Sequence, residues 1–574
     1  MSSYCASVGL GNPAVGNAVA PAGLGGAGGV PAGMVAVRVA DVAGGGGGSA
    51  LVVAGGGPVR SGESLVFCHP VVVAPAVVRR DGRVLAGGWL PDQVRLGLLE
   101  AELGEGVVEE VLAADERVDP GQRLRVMSAG LTVRLVVAMT LMPEASMREV
   151  LARLVGLVAK VPFARAWQVP GSKVITGWRR RVGAQALQTL FWRTAGPVTA
   201  VDDPAGRLGE LLVCGIDGFQ ARVADTPANR DRFGGSGTSE GGGSFPQLRA
   251  VLATAWTGRA ILGAAVDASS VGEQTLLARL VADHREVFGP GRVFLVDRNF
   301  LGHDLITAIV AAGAHLVMRV KAGTTLHHLR WLPDGSRLVY LSAPDRCSVL
   351  MLRVVEYTVD TPDGASELFC LATTLLDHHT YPATDLRDAY PKRWTAAETT
   401  IGENKSTITD AGPSRGPILR SQEPTLVEQE FWAWLTACQL TRNTAATTAA
   451  STTNPRPTTP SPPDTTTPPR TNVSTGQISF TGVRNEATRS MTQTLVTATT
   501  STTALTTHAR HAADMILATL VTTNRQRSSE RTRKHQPRFP HTTATKPTRT
   551  GHRNITMFHP PTTGTPTPQP PDTS

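Results

Sequence analysis

The centre of this 574-residue chain predicts a mixed α/β domain with a β-rich segment in its second half, followed by a largely disordered basic tail. Three observations point there. Between Leu211 and Val320 short apolar runs alternate with stretches of helical spacing. From Val320 to Tyr381 the pattern turns to alternating strands, as in SRLVYL and SVLMLRVVEYTV, with turns at Pro333-Asp334-Gly335 and Pro362-Asp363-Gly364. After Asn443 the composition shifts to Thr and Pro, and long stretches lack the periodicity that a core requires.

The elements follow in order. Leu211–Ile216 reads as a strand. Leu248–Trp256 and Arg259–Val266 are two more, separated by the hairpin signal Thr257-Gly258. Gly272–Phe288 has helical spacing, with Leu276, Leu277, Leu280 and Val281 on one face. Arg292–Val296 is the next strand, Asp304–Ala312 a helix and His315–Val320 another strand. This β-β-β-α-β-α-β order is that of the ribonuclease-H-like fold, in which the first strand and the strand after the first helix are neighbours. Upstream, Ser172 is placed to cap a helix running through TGWRRRVGAQALQTLF, with Arg179, Arg180 and Arg181 in its middle. Residues 1–84 are rich in Gly, Ala and Val, include GGGGG at Gly44–Gly48, and predict a flexible segment.

Charge is unevenly distributed. From Asn443 to the end there are fourteen Arg and Lys against five Asp and Glu, so the whole net charge of +9 sits there and the first 442 residues balance. RQRSSERTRKHQPR at Arg525–Arg538 suits salt-dependent attraction to phosphate rather than base reading. The six cysteines form no CxxC pair, which argues against a zinc site and a disulfide framework and for a reducing compartment. No run of about 18 apolar residues suggests a membrane span. The expectation is a cytoplasmic protein that reaches the nucleoid through DNA.

Chemistry concentrates in three segments. LLVCGIDGFQARVADTPAN at Leu211–Asn229 and RVFLVDRNF at Arg292–Phe300 each carry an apolar run ending on an acid, Asp217 or Asp297. AYPKRWTAAETTIGENK at Ala389–Lys405 places Glu398 and Lys405 seven residues apart, about two helical turns, so that both point the same way. Two acids at strand tips and a third on a helix make a carboxylate cage for hard divalent cations. Asp225 and Asn229 are explained by loop structure as well as by function, and Glu273 by a favourable charge at a helix N-terminus.

These segments resemble the DDE transposases of bacterial insertion sequences, specifically the insertion-sequence-four family. Its motifs read IDGxxxxxxDTPxN, DRxF, and Y, two residues, R, three residues, E, six residues, K. Tyr390, Arg393, Glu398 and Lys405 match the third, but four residues separate Arg393 from Glu398. One extra residue rotates a helix by roughly 100°, so either the helix begins after Arg393 or the site is distorted. LRVMSAGLTVRLVVAMTLMPEASMREVLARL, within Leu90–Leu154, is similar to the family's helical domain, Ile418–Asn443 to the helix after the glutamate motif, and ISFTGVR at Ile478–Arg484 to a C-terminal signature. Nothing before about Leu85 resembles the family, so a misassigned start is an alternative for that segment.

The resemblance implies a helical DNA-binding domain at 85–200, a catalytic domain at 201–445 with its insertion at about 321–381, and a tail at 446–574. It implies Asp217, Asp297 and Glu398 as catalytic residues and metal ligands for two Mg²⁺ ions, with Mn²⁺ able to substitute. DNA contacts fall to Tyr390, Arg393, Lys405, Arg298 and Trp331, and to Arg179, Arg180 and Arg181 of the helical domain. Lys321, His327, His328, Arg330 and Arg337 line a DNA path beside Trp331, which stacks on an unpaired base. The implied function is binding of terminal inverted repeats, cleavage and strand transfer by a homodimer in a synaptic complex. Two alternatives stand beside it: a structure-specific nuclease of the same fold, and a decayed transposase that only binds DNA.

Overall fold

The computed structural model describes residues 76–78, 84–86, 94–104, 106–115, 127–155, 168–198, 203–234, 245–321, 323–360, 366–408, 418–453, 472–497, 511–521 and 555–557. The chain divides into two units. In the first, residues 1–68 and 72–88, strands Ala76–Val78 and Val84–Ala86 pair antiparallel. The rest of the flexible segment expected at 1–84 lies outside the described residues. All other elements belong to the second unit.

That unit opens with helices α1 (Leu98–Leu103), α2 (Val107–Ala113), α3 (Ala129–Leu141), α4 (Met147–Val155) and α5 (Ser172–Thr194). Ser128 caps α3 by accepting from the Leu131 amide at 3.1 Å. Every residue from Leu131 to Leu141 is buried, so α3 is an interior helix, apolar nearly all round. Its one cation, Arg134, is neutralised by Glu100 and Glu109. Helix α5 corrects one expectation: Gly171 is its N-cap, and Ser172 opens the helix without capping it. The helix kinks at Gly183, where φ is +68°, a left-handed angle that glycine adopts at little steric cost.

A twelve-stranded sheet follows. Its strands are β1 (Leu211–Val223), β2 (Gln247–Ala255), β3 (Ile261–Ala268), β4 (Arg292–Val296), β5 (His315–Arg319), β6 (His327–Trp331), β7 (Arg337–Ser342), β8 (Val349–Asp360) and β9 (Ser366–Thr373), with three short strands at its margins. Their order across the sheet is β3-β2-β1-β4-β5-β9-β8-β7-β6. β1, β4 and β5 run parallel, and the other neighbours along this order are antiparallel. After the short helix α6 (Pro227–Phe233), the expected hairpin, helices and strands appear within a few residues of their anticipated bounds, as α7 (Glu273–Asp283) and α8 (His303–Ala312) show.

Three differences from the sequence reading matter. β1 runs seven residues past Ile216, so Asp217 lies within the strand rather than at its tip. The insertion joins the main sheet, because β9 pairs with β5. It is anchored by Arg353, fully buried, which ion-pairs with Asp334 and donates to Ser336 Oγ at 2.8 Å and the Tyr381 carbonyl at 2.6 Å. Lastly, part of the tail is ordered. Helix α12 (Phe480–Thr497), a helix at 511–518, and Ile555–Met557, which pairs with β8, are all in place. Within the C-terminal signature Ile478, Phe480 and Val483 are buried. The basic run Arg525–Arg538 lies outside the described residues.

The sheet is covered on both faces. Helix α11 (Pro424–Thr453) carries Phe431 and Trp434 into one hydrophobic cluster with α3, α5 and Phe219 and Val223 of β1. Helices α7 and α8 pack Leu276, Leu280, Ile306 and Ile309 against Ile216, Val251 and Phe294 on the other side. The helical segment and the sheet thus share a core. No helix among the described residues is long and apolar enough to cross a membrane.

Candidate active site

The two aspartates meet through strand register. β1 and β4 pair in parallel up to Gly215 opposite Leu295, and Asp217 and Asp297 each lie two residues further along. With a side-chain period of two they share a face of the sheet. Asp217 accepts from the Gly218 amide at 2.8 Å and Asp297 from the Arg298 amide at 2.5 Å. Tyr390 sends its hydroxyl to the Val296 carbonyl at 3.2 Å and so braces β4 just before Asp297. It is buried, which corrects its expected role as a DNA contact: its one donor is spent inside the protein.

The third acid arrives on an irregular helix. After α9 (Ala383–Ala389), Trp394–Thr399 forms a π-helix that continues directly into α10 (Thr400–Ile408). A π turn bonds i to i+5 and takes in one residue more than an α turn. The four-residue spacing between Arg393 and Glu398 is absorbed there, so neither a late helix start nor a rotated glutamate is needed. Arg393 and Glu398, five apart, remain paired at 2.9 Å. Arg393 is buried and also lies over the Trp394 ring, which makes it a brace for Glu398 rather than an exposed phosphate contact.

Gly215 seats this turn on the sheet. A Cβ there would lie 3.0 Å from Ala397 Cβ and 3.1 Å from Ala396 Cβ, so any side chain would press the turn back from the strand. Thr254 of β2, buried, donates to the Ala396 carbonyl at 2.7 Å and satisfies an acceptor in the irregular turn. The consequence is electrostatic. Burial pushes the Asp217 carboxyl up to about 6, with the charges of Glu398 and Glu273 adding to the rise, while the Gly218 amide and Arg393 oppose it. Glu273 is thereby a fourth acid near the site. A Cβ on Gly218 would overlap its carboxylate, a contact that no local sequence signal announced.

The remaining candidates fall elsewhere. Arg179 is buried and bonded to Gln429 Oε1 (2.9 Å), Ser421 Oγ (2.8 Å) and the Leu426 carbonyl (3.1 Å). Gln429 in turn donates to the carbonyls of Arg179 and Gly183 at the kink. Arg179 therefore ties α5 to α11 and is not a DNA contact, because removing it from this network would strand a buried charge. Arg180, exposed, pairs with Glu423, and exposed Arg181 lies 5.2 Å over the Trp178 ring. Asn229 is buried and donates to the carbonyls of Ala224 and Ser421, while Asp225 pairs with Arg230, so the local structure explains both. Trp331 lies on the exposed edge strand β6 beneath Arg337, which also pairs with Glu356. Arg298 is exposed beside Asp297. Lys405 lies on α10, with its side chain outside the described residues.

Two family models match the chain: the insertion element 4 transposase N-terminal domain over residues 93–192 and the transposase DDE domain over residues 209–415. The chain belongs to the insertion-element-4 family of DDE transposases. The transposase InsG of insertion sequence element IS4 from Escherichia coli strain K12 is 26% identical over 326 residues, which cover 56% of this chain and 70% of that protein. A piggyBac transposase synaptic complex with hairpin DNA overlays with a TM-score of 0.34 at 9% identity, covering 75% of this chain and 85% of that one; so distant a likeness carries no argument. In this insertion-element-4 transposase the DDE model spans all three acids and both intervening segments.

Among the described residues no three His, Cys, Asp or Glu side chains close around a single point. Asp217, Asp297 and Glu398 offer oxygen donors alone. Such a set suits a hard divalent cation, whose charge would offset the burial, and the lesser effect of the acidic neighbours, that raise Asp217.

Proposed function

We propose that this transposase binds the terminal inverted repeats of its element, cleaves DNA there and joins the 3′ ends to target DNA, acting as a homodimer in a synaptic complex. The observation that carries the reading is that Asp217 and Asp297 share a face of two neighbouring parallel strands, with Glu398 near enough for its charge to act on Asp217. Strand order β3-β2-β1-β4-β5, with β2 alone antiparallel to the other four, supports a ribonuclease-H-like catalytic domain.

Asp217, Asp297 and Glu398 would hold two Mg²⁺ ions, or Mn²⁺ in their place. Metal held there would supply positive charge to an attacking water or 3′-hydroxyl and to the leaving oxygen of an in-line displacement. The chain's own groups do the positioning. The amides of Gly218 and Arg298 orient the two aspartates, Tyr390 fixes the end of β4, and Arg393 holds Glu398. Lys405, seven residues beyond Glu398 on the continuing helix, is assigned to phosphate beside the scissile bond, and exposed Arg298 to the strand that crosses Asp297. Arg180, Arg181 and Trp331 are left as outer DNA contacts, and the basic tail supplies nonspecific attraction. The protein acts in the cytoplasm at the nucleoid.

The test is nicking of DNA that carries the element's ends. Purified protein cuts only with Mg²⁺ or Mn²⁺, and Asp217→Ala or Asp297→Ala abolishes cutting while binding to the ends persists. Undiminished cutting in excess EDTA, or strand transfer retained in either variant, overturns the assignment. Cutting without joining would establish the nuclease alternative instead.

A further inference from the structure

A cleft of about 520 Å³ opens beside the acids, walled by Arg249 of β2, Glu273 and Thr275 of the first turn of α7, Arg298 after β4, and Lys321 after β5. Clefts that hold small ligands run from roughly 300 to 1,000 Å³, so there is room for one nucleotide. It borders the site, since Arg298 follows Asp297, and Glu273 lies against Gly218, which follows Asp217. The wall is tied together, since Gln274 of α7 donates to the Asn299 carbonyl.

The charges are uncompensated. Among the described residues, Arg249, Arg298 and Lys321 have no ion-pair partner. Arg249 spends one guanidinium nitrogen on the Val271 carbonyl at 2.9 Å, while its buried Nε has no partner. The carboxylate in the wall, Glu273, lies against Gly218. Helix α7 adds to the positive field. Its N-cap, Gly272, provides no side chain to satisfy the first amides, and those amides and the helix dipole favour an anion. Three cations gathered in one concavity repel one another until an anion enters.

We propose that this cleft seats the nucleotide next to the scissile phosphate, with its phosphate held by Arg249, Arg298, Lys321 and the first amides of α7. Glu273 marks the boundary, keeping the bound phosphate at the cationic end while the scissile group lies over the acids. The inference rests on the catalytic reading above, because the acids define which phosphate is scissile.

The test pairs substitutions on both molecules. Element-end duplexes carry a neutral methylphosphonate at one phosphate at a time, and their binding is measured in EDTA to wild-type protein, Lys321→Ala and Lys321→Arg. Lys321→Ala should flatten the salt dependence by about one phosphate contact. At one phosphate adjacent to the cut, the methylphosphonate should weaken wild-type binding yet cost Lys321→Ala nothing further, and Lys321→Arg should restore the sensitivity. Equal losses in wild type and Lys321→Ala at every flanking phosphate overturn the proposal. Failure of the wild type to cut in Mg²⁺ would sink the catalytic reading instead, and because binding is read without metal the two failures are distinguishable.

Discussion

The strands that carry the aspartates and the helix that carries the glutamate reach the same point by opposite means. On β1 and β4 the side-chain period of two leaves no slack, since a slip of one residue would turn Asp217 or Asp297 to the other face of the sheet. On the helix an extra residue is taken up in the π turn Trp394–Thr399, and the Arg393–Glu398 pair survives. Sheet positions in this site are rigid in sequence spacing, and the helix position is adjustable. The adjustment depends on a strand residue, Gly215, which leaves room for the turn, and on Thr254, which satisfies its Ala396 carbonyl.

The sharpest way to break this comparison is to remove the room. Gly215→Val suits a strand but forces a side chain into Ala396 and Ala397. Overpacking of this kind costs about 1–3 kcal/mol, and a shift of about 1 Å at a catalytic group costs on the order of a hundredfold in rate. Metal-dependent nicking should therefore fall about a hundredfold while the protein stays folded by circular dichroism. Unchanged nicking would mean that the seat on Gly215 does not position Glu398.

A smaller effect follows from the crowded acids. Asp217 ordinarily titrates at 3.8 and is raised to about 6 by burial and its acidic neighbours. The folded state then holds a proton that the unfolded chain has released, so metal-free stability should fall as pH rises from about 4 to about 6. Asp217→Asn should remove that slope in thermal denaturation scans. A slope unaltered by this substitution would show that Asp217 ionises as an ordinary exposed acid.

Much of this was legible in the sequence. The apolar runs ending near Asp217 and Asp297 predicted adjacent strands, because a parallel pair separated by a helix has few other arrangements. The third motif gave Glu398 and its anomaly but not its resolution, since a π turn leaves no residue signature and depends on Gly215 and Thr254 across the sheet. Arg179 read as a surface cation because its neighbours Arg180 and Arg181 are; its burial is set by Gln429, 250 residues away. Glu273 read only as a favourable charge at a helix N-terminus, which it is, because its contact with Gly218 is made only by the fold. The ordered part of the tail was missed because Thr-rich composition masked the few apolar residues that bury, Ile478, Phe480 and Val483 among them.

The smallest expected effect concerns the extra residue. Deleting Ala396 returns Arg393 and Glu398 to α-helical spacing and takes away a carbonyl bonded to Thr254. Nicking should stay level or fall within about tenfold, an energy near 1.4 kcal/mol. A large gain would mean that the π turn misplaces Glu398 and that the natural chain is a crippled enzyme.

The central claim is that Glu398, despite its shifted spacing, shares one metal site with the two aspartates. Titration of Mn²⁺ into wild-type protein bound to element-end DNA, followed by the loss of the free-ion paramagnetic resonance signal, tests it directly. Glu398→Gln should weaken Mn²⁺ binding as much as Asp297→Asn does. Wild-type Mn²⁺ affinity in Glu398→Gln, beside a clear loss in Asp297→Asn, would contradict it.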